Sequence, residues 1–414
     1  MLGLFRQKGY EVVPFESEAD VYIINTCAVT NTGDKKSRQM IRRAAGRGGI
    51  VIAAGCYAQA DDAEVSRVEG VNLVIGTKDR DRIVELAEAY NRNMGASVHV
   101  SGYAPRAGWD LRGAPRGYSD ARTRAFLKIE DGCDRYCSYC VIPYARGPVR
   151  SRPAGDILDE ARRLAAEGYK EIVLTGIHVA SYGKDLKNTN LTEIILKLNN
   201  IEGVERLRLS SVDPVFIDNR FLEVIRGAPK LCDHFHLSLQ SGSDSVLKRM
   251  NRRYSASGYL AAVDLLKSAL PDVSLTTDII TGFPGETDAE FQETRRLAET
   301  VGFSRIHVFP YSPKKGTPAA EMPGQVSEAV KSARARALLE LGERLSKAYM
   351  DRFVGRALPV LFERPRGGGV YEGYAPNYIK ARVNSGTDIA NQIRAVCVDY
   401  IKDGAAHGIL LQNG

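Results

Sequence analysis

Between residues 125 and 310 the sequence repeats one pattern six times: a short apolar run, then a polar stretch with helical periodicity. The runs are AFLKI, EIVLTG, VERLRLSS, HFHLSLQ, VSLTTDIITG and FSRIHVFPY, separated by stretches such as DILDEARRLAAEG and DAEFQETRRLAETVG. Alternation of this kind builds a parallel sheet with helices packed on it. Six units fall short of an eightfold barrel, so an open or partial (β/α)6 barrel is expected. In barrels of this type the chemistry sits at the C-terminal ends of the strands, and functional residues should be sought directly after each run.

A smaller alternation precedes it. From 10 to 90 the runs EVVPF, DVYIINT, GIVIAAG and NLVIG alternate with helix-compatible segments near 33–46, 57–68 and 79–90, which reads as a parallel α/β domain over residues 1–94. Such a domain normally opens with a strand, whereas this sequence starts inside a helical pattern, LGLFRQKG, so a first strand is expected to be missing. Residues 95–122 are rich in Gly, Pro and Arg without apolar periodicity and read as a linker. The barrel domain is placed at 123–348, closing with a helix rich in Ala, Arg and Leu over 327–350. Residues 349–414 switch to short strands with glycine turns, ALPVLFE, GGVYEGY, YIKARV and IRAVCVDYI, as in a small antiparallel β-barrel of oligonucleotide-binding type.

A chain of 414 residues with 44% hydrophobic content can fill the cores of two or three domains. No run of about 18 apolar residues occurs and the N-terminus lacks a signal-peptide pattern, so a cytoplasmic protein without membrane insertion is expected. The net charge of +7 mildly favours a polyanionic partner, although a basic surface is more often merely solvated. Seven cysteines in a reducing compartment, three of them between 133 and 140, argue for metal ligation rather than a disulfide framework.

Those three stand in GCDRYCSYC, just after the first barrel run. Cys133, Cys137 and Cys140 supply three thiolates for a [4Fe-4S] cluster, which leaves one iron open to a substrate. The alternative is zinc, but zinc normally takes four protein ligands from paired C-x-x-C units or added His, and none stands near. The pattern C-x3-C-x-aromatic-C resembles the signature of the radical S-adenosylmethionine (SAM) superfamily. That resemblance implies that the open iron chelates the amino and carboxylate groups of SAM and that one electron releases a 5'-deoxyadenosyl radical. It also implies that Tyr139 lies beside the adenine. Thr175, Gly176 and Ile177 follow the second strand, where the superfamily's backbone approaches the SAM amino group. Ser210 and Ser211 follow the third, Gln240 the fourth, and Thr281 to Glu286 (TGFPGE) the fifth. Each alone is weak, because a glycine after a strand is most often a turn. Their register with successive strands gives them weight.

The longer string CSYCVIPYARGPVRSR, flanked by the N-terminal α/β domain and the C-terminal barrel, resembles the methylthiotransferase family over nearly the whole chain. The resemblance implies a second [4Fe-4S] cluster in the N-terminal domain. Cys27 in VYIINTCAVT and Cys56 in VIAAGCYAQ match two of its ligands, each at the end of a strand-like run. The family's third ligand lies on the strand that is missing here. Either the start is misplaced or the chain holds this cluster with two cysteines. Cys232 and Cys397 read as core thiols.

The family's chemistry implies two uses of SAM, one donating a methyl group to sulfur and one supplying the radical that activates carbon 2 of an adenine. Cofactors of this kind carry the reaction and leave position and exclusion of water to the protein. TGIHVASYG around His178 and PYARGPVRSR most resemble the branch acting on N6-threonylcarbamoyladenosine at position 37 of tRNA. Other branches act on isopentenyladenosine or a ribosomal-protein aspartate. His178 is equally read as an ordinary strand-end polar residue and receives no catalytic step. The C-terminal module resembles a TRAM domain, with Tyr371, Tyr374, Tyr378, Lys380 and Arg382 as an RNA-facing set of which half could face inward. Arg146, Arg150 and Arg152 could grip the anticodon loop or the SAM carboxylate. A reductant such as flavodoxin or ferredoxin is implied. Rival readings are a radical SAM enzyme of other chemistry and a non-catalytic, zinc-stabilised RNA-binding protein.

Overall fold

The computed structural model describes residues 1–90, 95–104, 108–109 and 123–411. The chain packs as two compact units: Met1–Asp120 with Asp131–Arg150 and Ser312–Glu321, and Ala121–Glu130 with Ser151–Tyr311 and Met322–Gly414.

The first unit is built on a parallel sheet of β1 (Val21–Thr26), β2 (Ile50–Gly55), β3 (Leu73–Ile75) and β4 (Ser97–His99), in that order. Strands with both faces covered read as continuous apolar runs, and β2 alternates its side chains between two cores. Val51 and Ala53 join α2 (Asn31–Ala45) and α3 (Cys56–Ala60) on one face. Ile52 and Ala54 join α1 (Leu2–Gln7) and the helix Ile83–Ala89 on the other.

Two expectations are corrected here. EVVPF forms no strand: Glu11–Pro14 pair with nothing in a sheet, and Pro14 has no N–H to offer a ladder. The residues instead line an apolar groove with Phe5, Val21 and Ile23 beside β1, the edge strand. The second correction concerns the linker, whose residues 97–99 are β4, paired in parallel with β3 from Leu73↔Ser97 to Ile75↔His99. Residues 105–107 and 110–122 of that segment lie outside the described residues.

The second unit carries the six expected barrel strands: β5 (Arg124–Lys128), β6 (Glu171–Thr175), β7 (Arg206–Leu209), β8 (His234–His236), β9 (Ser274–Thr281) and β10 (Arg305–Pro310). They form two parallel triplets, β5-β6-β7 and β8-β9-β10, joined by the bridges Leu207↔Leu231 and Val212↔Leu237. The helix Glu328–Asp351 packs on β10 and β9.

A closed barrel follows, of β11 (Ala357–Phe362), β12 (Val370–Tyr374), β13 (Lys380–Asn384), β14 (Ile393–Lys402) and β15 (Ala405–Leu410), in the order β11-β12-β13-β15-β14. Closure comes from one parallel pairing, β13 with β15; the rest is antiparallel. Among the described residues no helix is long and apolar enough to cross a membrane.

Candidate active site

Cys27 and Cys56 leave neighbouring strands at one level. Thr26 and Gly55 are register partners in the parallel β1–β2 ladder, and each cysteine is the next residue. The Thr26 hydroxyl ties the two loops together, donating to the Ala54 carbonyl at 3.0 Å and accepting from the Ala58 N–H at 3.2 Å. Gly55 has φ +119°, and a Cβ there would lie 2.6 Å from the Thr26 carbonyl oxygen, so a side chain at 55 would force the strand ends apart. Cys27 is exposed and Cys56 buried.

The triad loop belongs to the same unit. It begins at Gly132, where φ is +89° and a Cβ would meet the Pro148 carbonyl oxygen at 1.9 Å. The Cys133 N–H donates to the Gly147 carbonyl at 3.0 Å and the Cys140 N–H to the Cys137 carbonyl at 2.9 Å, folding residues 132–147 back on themselves. Cys137 is buried, and Cys133, Cys140 and Tyr139 are half-buried. The loop runs into α4 (Ile142–Arg146), whose capping residue Val141 and whose Ala145 share a core with Cys56, Tyr57 and Ala58. The two candidate cluster sites thus stand on one body. That was not legible in the sequence, where the triad falls within the barrel segment.

Arg146 ends α4 and donates from Nε to the Cys56 sulfur at 3.1 Å. Its Nη1 also reaches Asp131 Oδ2 at 3.3 Å. Asp131, buried one residue before Gly132, faces Arg80 and Arg150 as well, each at 3.8 Å. Burial, followed by the neighbouring Arg146 charge, pulls the Arg80 pKa below the ordinary arginine value. For Arg146 burial acts in the same sense, but Asp131 and Cys56 more than offset it and the pKa rises. Arg150 is fully buried, donating to the carbonyls of Arg146 (2.7 Å) and Pro148 (3.1 Å) beneath the Tyr103 ring. Arg152, in the second unit, pairs with Glu160. Arg150 and Arg152 are buried and all three side chains have partners within the protein, whereas the sequence offered the anticodon loop or the SAM carboxylate as their partner.

Cysteine thiolates are the donors that iron-sulfur clusters use. No disulfide consumes any of these thiols, and among the described residues no three Cys, His, Asp or Glu groups converge on a single ion as a structural zinc site requires. Three thiols on one loop are the donor set that a [4Fe-4S] cluster with one open iron would take. The crowded guanidinium charge beside Cys56 suits an anionic, thiolate-ligated group.

In the second unit, Thr175 ends β6, Gly176 follows it, and both are half-buried. The buried Glu130 carboxylate accepts from the His178 N–H at 2.8 Å, with Gly176 packed against it, which fixes the turn. The His178 ring contacts Ser181 Oγ at 2.7 Å and lies 3.5 Å from Asp213, an ordinary polar network. Ser211 is exposed and Ser210 half-buried after β7. Gln240 is buried with φ +64° and extends the β8 ladder, its N–H donating to the Asp278 carbonyl at 2.8 Å. The TGFPGE turn has a packing explanation: Glu286 accepts from the Gly282 N–H at 2.7 Å and from Arg334 at 2.8 Å.

Of the C-terminal set, half of which could face inward, Tyr371 is buried, Tyr374, Lys380 and Arg382 are half-buried and Tyr378 is exposed. Tyr371 has its hydroxyl on Asp388 at 3.1 Å. Tyr378 stacks on His234 at 4.7 Å and lies under Arg208, while Arg124 covers Tyr374. Lys380 and Arg382 flank Glu372 at 3.6 and 2.9 Å. The sequence reading missed Tyr400, which is 52% exposed and stacks on His407 at 4.9 Å. Register places Arg382 beside His407, and His407 beside Tyr400. The missed strand β15, with its Ala, Gly and His content, carries the signal that could have found them.

Residues 127–298 match the Radical SAM superfamily, and residues 1–76 match the Uncharacterized protein family UPF0004. The threonylcarbamoyladenosine tRNA methylthiotransferase MtaB of Bacillus subtilis is 41% identical over 408 residues, 97% of this chain and 90% of that protein. The tRNA-2-methylthio-N(6)-dimethylallyladenosine synthase of Maricaulis maris is 36% identical, covering 97% of this chain and 91% of that protein. The radical SAM methyltransferase TsrM from Kitasatospora setae, solved with cobalamin and a [4Fe-4S] cluster, shares the fold at a TM-score of 0.56 and 18% identity, over 74% of this chain and 66% of that one. The chain belongs to the radical SAM tRNA methylthiotransferase family.

Proposed function

We propose that this protein converts N6-threonylcarbamoyladenosine at position 37 of tRNA to its 2-methylthio derivative, using two SAM molecules and two [4Fe-4S] clusters. The observation that carries the reading is near-full-length similarity to relatives of that name, at 41, 40 and 39% identity, against 36, 37 and 35% for three dimethylallyladenosine synthases. Cys133, Cys137 and Cys140 would hold one cluster and Cys27 and Cys56 the other; when bound, they supply radical generation from SAM and the inserted sulfur. Tyr139, Thr175, Gly176, Ser211 and Gln240 are the proposed SAM contacts.

The protein's own groups do the positioning. Glu130 sets the turn after β6 by accepting the His178 N–H, and Asp131 anchors the start of the triad loop by accepting the Gly132 N–H at 2.9 Å. Burial of Cys137 and Cys56 keeps water from those sulfurs. For the RNA, the Tyr400–His407 stack beside Arg382 offers a base platform, next to Tyr374 and Tyr378, which carry Arg124 and Arg208 on their rings. A one-electron donor such as flavodoxin or ferredoxin completes the scheme, in a cytoplasmic setting.

Mass spectrometry of tRNA nucleosides from a deletion strain tests the assignment. Loss of the 2-methylthio-threonylcarbamoyl nucleoside is expected. Its persistence, with loss of the 2-methylthio-dimethylallyl nucleoside instead, would move the protein to the other branch.

A further inference from the structure

We infer that Arg146 is a positioning residue for the auxiliary site: its Nε–H bond to Cys56 Sγ fixes that sulfur for ligation and raises the reduction potential of the cluster bound there. The inference rests on the reading of Cys27 and Cys56 as auxiliary ligands.

Three observations carry it. Among the described residues, Cys56 is buried and Arg146 aims a charged donor at its sulfur from 3.1 Å, well inside the range of bonds to sulfur. Asp131 holds the other side of the same guanidinium at 3.3 Å, so the fork spans the two groups in one orientation. Arg146 is also the last residue of the helix that the triad loop enters after Cys140, and that helix packs on the one beginning at Cys56. One side chain therefore joins the segment carrying one candidate cluster site to a ligand of the other.

The direction of the effect follows from charge. Reduction adds an electron to a group that is already anionic, and hydrogen bonds and positive charge at a ligand sulfur favour the reduced form, so the potential rises. Arg80, Arg146 and Arg150 all approach Asp131, at 3.8, 3.3 and 3.8 Å, which gathers positive charge beside the Cys56 sulfur. A buried arrangement with such crowding costs stability unless a negative group shares the site. The thiolate-bound cluster supplies that group.

The test uses the full chain with Cys133→Ala, Cys137→Ala and Cys140→Ala as parent, so that any cluster present is the auxiliary one. Arg146→Met and Arg146→Lys are made in that parent. After anaerobic reconstitution, iron content and EPR-monitored redox titration are read. Arg146→Met is expected either to lose iron or to keep it with a more negative potential and an altered EPR signal. Arg146→Lys, which keeps charge and a donor, is expected to recover part of the shift. Iron content and potential unchanged in Arg146→Met overturn the inference while leaving the auxiliary site intact. An iron-free parent overturns the auxiliary-site reading and the inference with it.

Discussion

Two buried arginine clusters in this protein look alike and are built for different ends. In the second unit, Glu171 is clasped by Arg208 through two bonds of 2.7 and 3.3 Å and approached by Arg206 at 3.8 Å. The remaining donors find backbone: Arg208 donates to the Pro376 carbonyl, and Arg206 to those of Tyr374 and Pro359, each at 2.8 Å. Arg124 reaches the Tyr378 hydroxyl at 3.0 Å and Glu363 at 3.1 Å. These guanidiniums fasten the small barrel to the strands β5–β8. In the first unit, three guanidiniums approach one carboxylate; Arg80 and Arg150 also donate to backbone carbonyls, whereas Arg146 turns to a thiol. Arginines that clasp a carboxylate and backbone across two modules act as adhesive; guanidinium charge gathered beside a sulfur suits an anionic group.

The contrast can be broken most forcefully at Glu171. Glu171→Ala leaves Arg208 and Arg206 buried without their carboxylate and is expected to cost about 3–5 kcal/mol, read by chemical denaturation of the second unit's transition. Tyr378→Ala removes a ring held between Arg208 and His234 and is expected to cost about 2–3 kcal/mol, with the small barrel becoming protease-sensitive first. Asp233, near the same cluster, is pushed up to about 6 by burial. A carboxyl that holds its proton more tightly when folded favours folding at low pH, and this advantage is lost as pH rises from about 4 through about 6. Asp233→Asn is therefore expected to gain on the order of 2 kcal/mol at pH 8 and little at pH 4, measured by denaturation at both values. Arg146→Met in apo-protein should change stability least, within about 1 kcal/mol, because it relieves crowding as it removes a bond to Asp131. A loss as large as that at Glu171 would make the first cluster adhesive too.

Much of the second unit could be read from the chain. Its six strands are continuous apolar runs, and the residues after them fell where expected because strand ends are marked by Gly, Ser and Gln. The cysteine triad was legible from spacing, and the pairing of Cys27 with Cys56 from their equivalent strand ends. Three things were hidden. EVVPF has strand composition, but a strand needs a neighbour to pair with, and Glu11–Pro14 have none in the described sheet. The docking of the triad's helix against α3 depends on Val141 and Ala145, whose partners lie over 80 residues away in sequence. The stacking of Tyr374 and Tyr378 is decided by Arg124, Arg208 and His234 on other strands, which no local pattern reveals.

The most direct test of the two-site account is iron and acid-labile sulfide analysis of the anaerobically reconstituted chain carrying Cys133→Ala, Cys137→Ala and Cys140→Ala. The account predicts about four irons per chain, lost again when Cys56→Ala is added; a triple variant free of iron would contradict it.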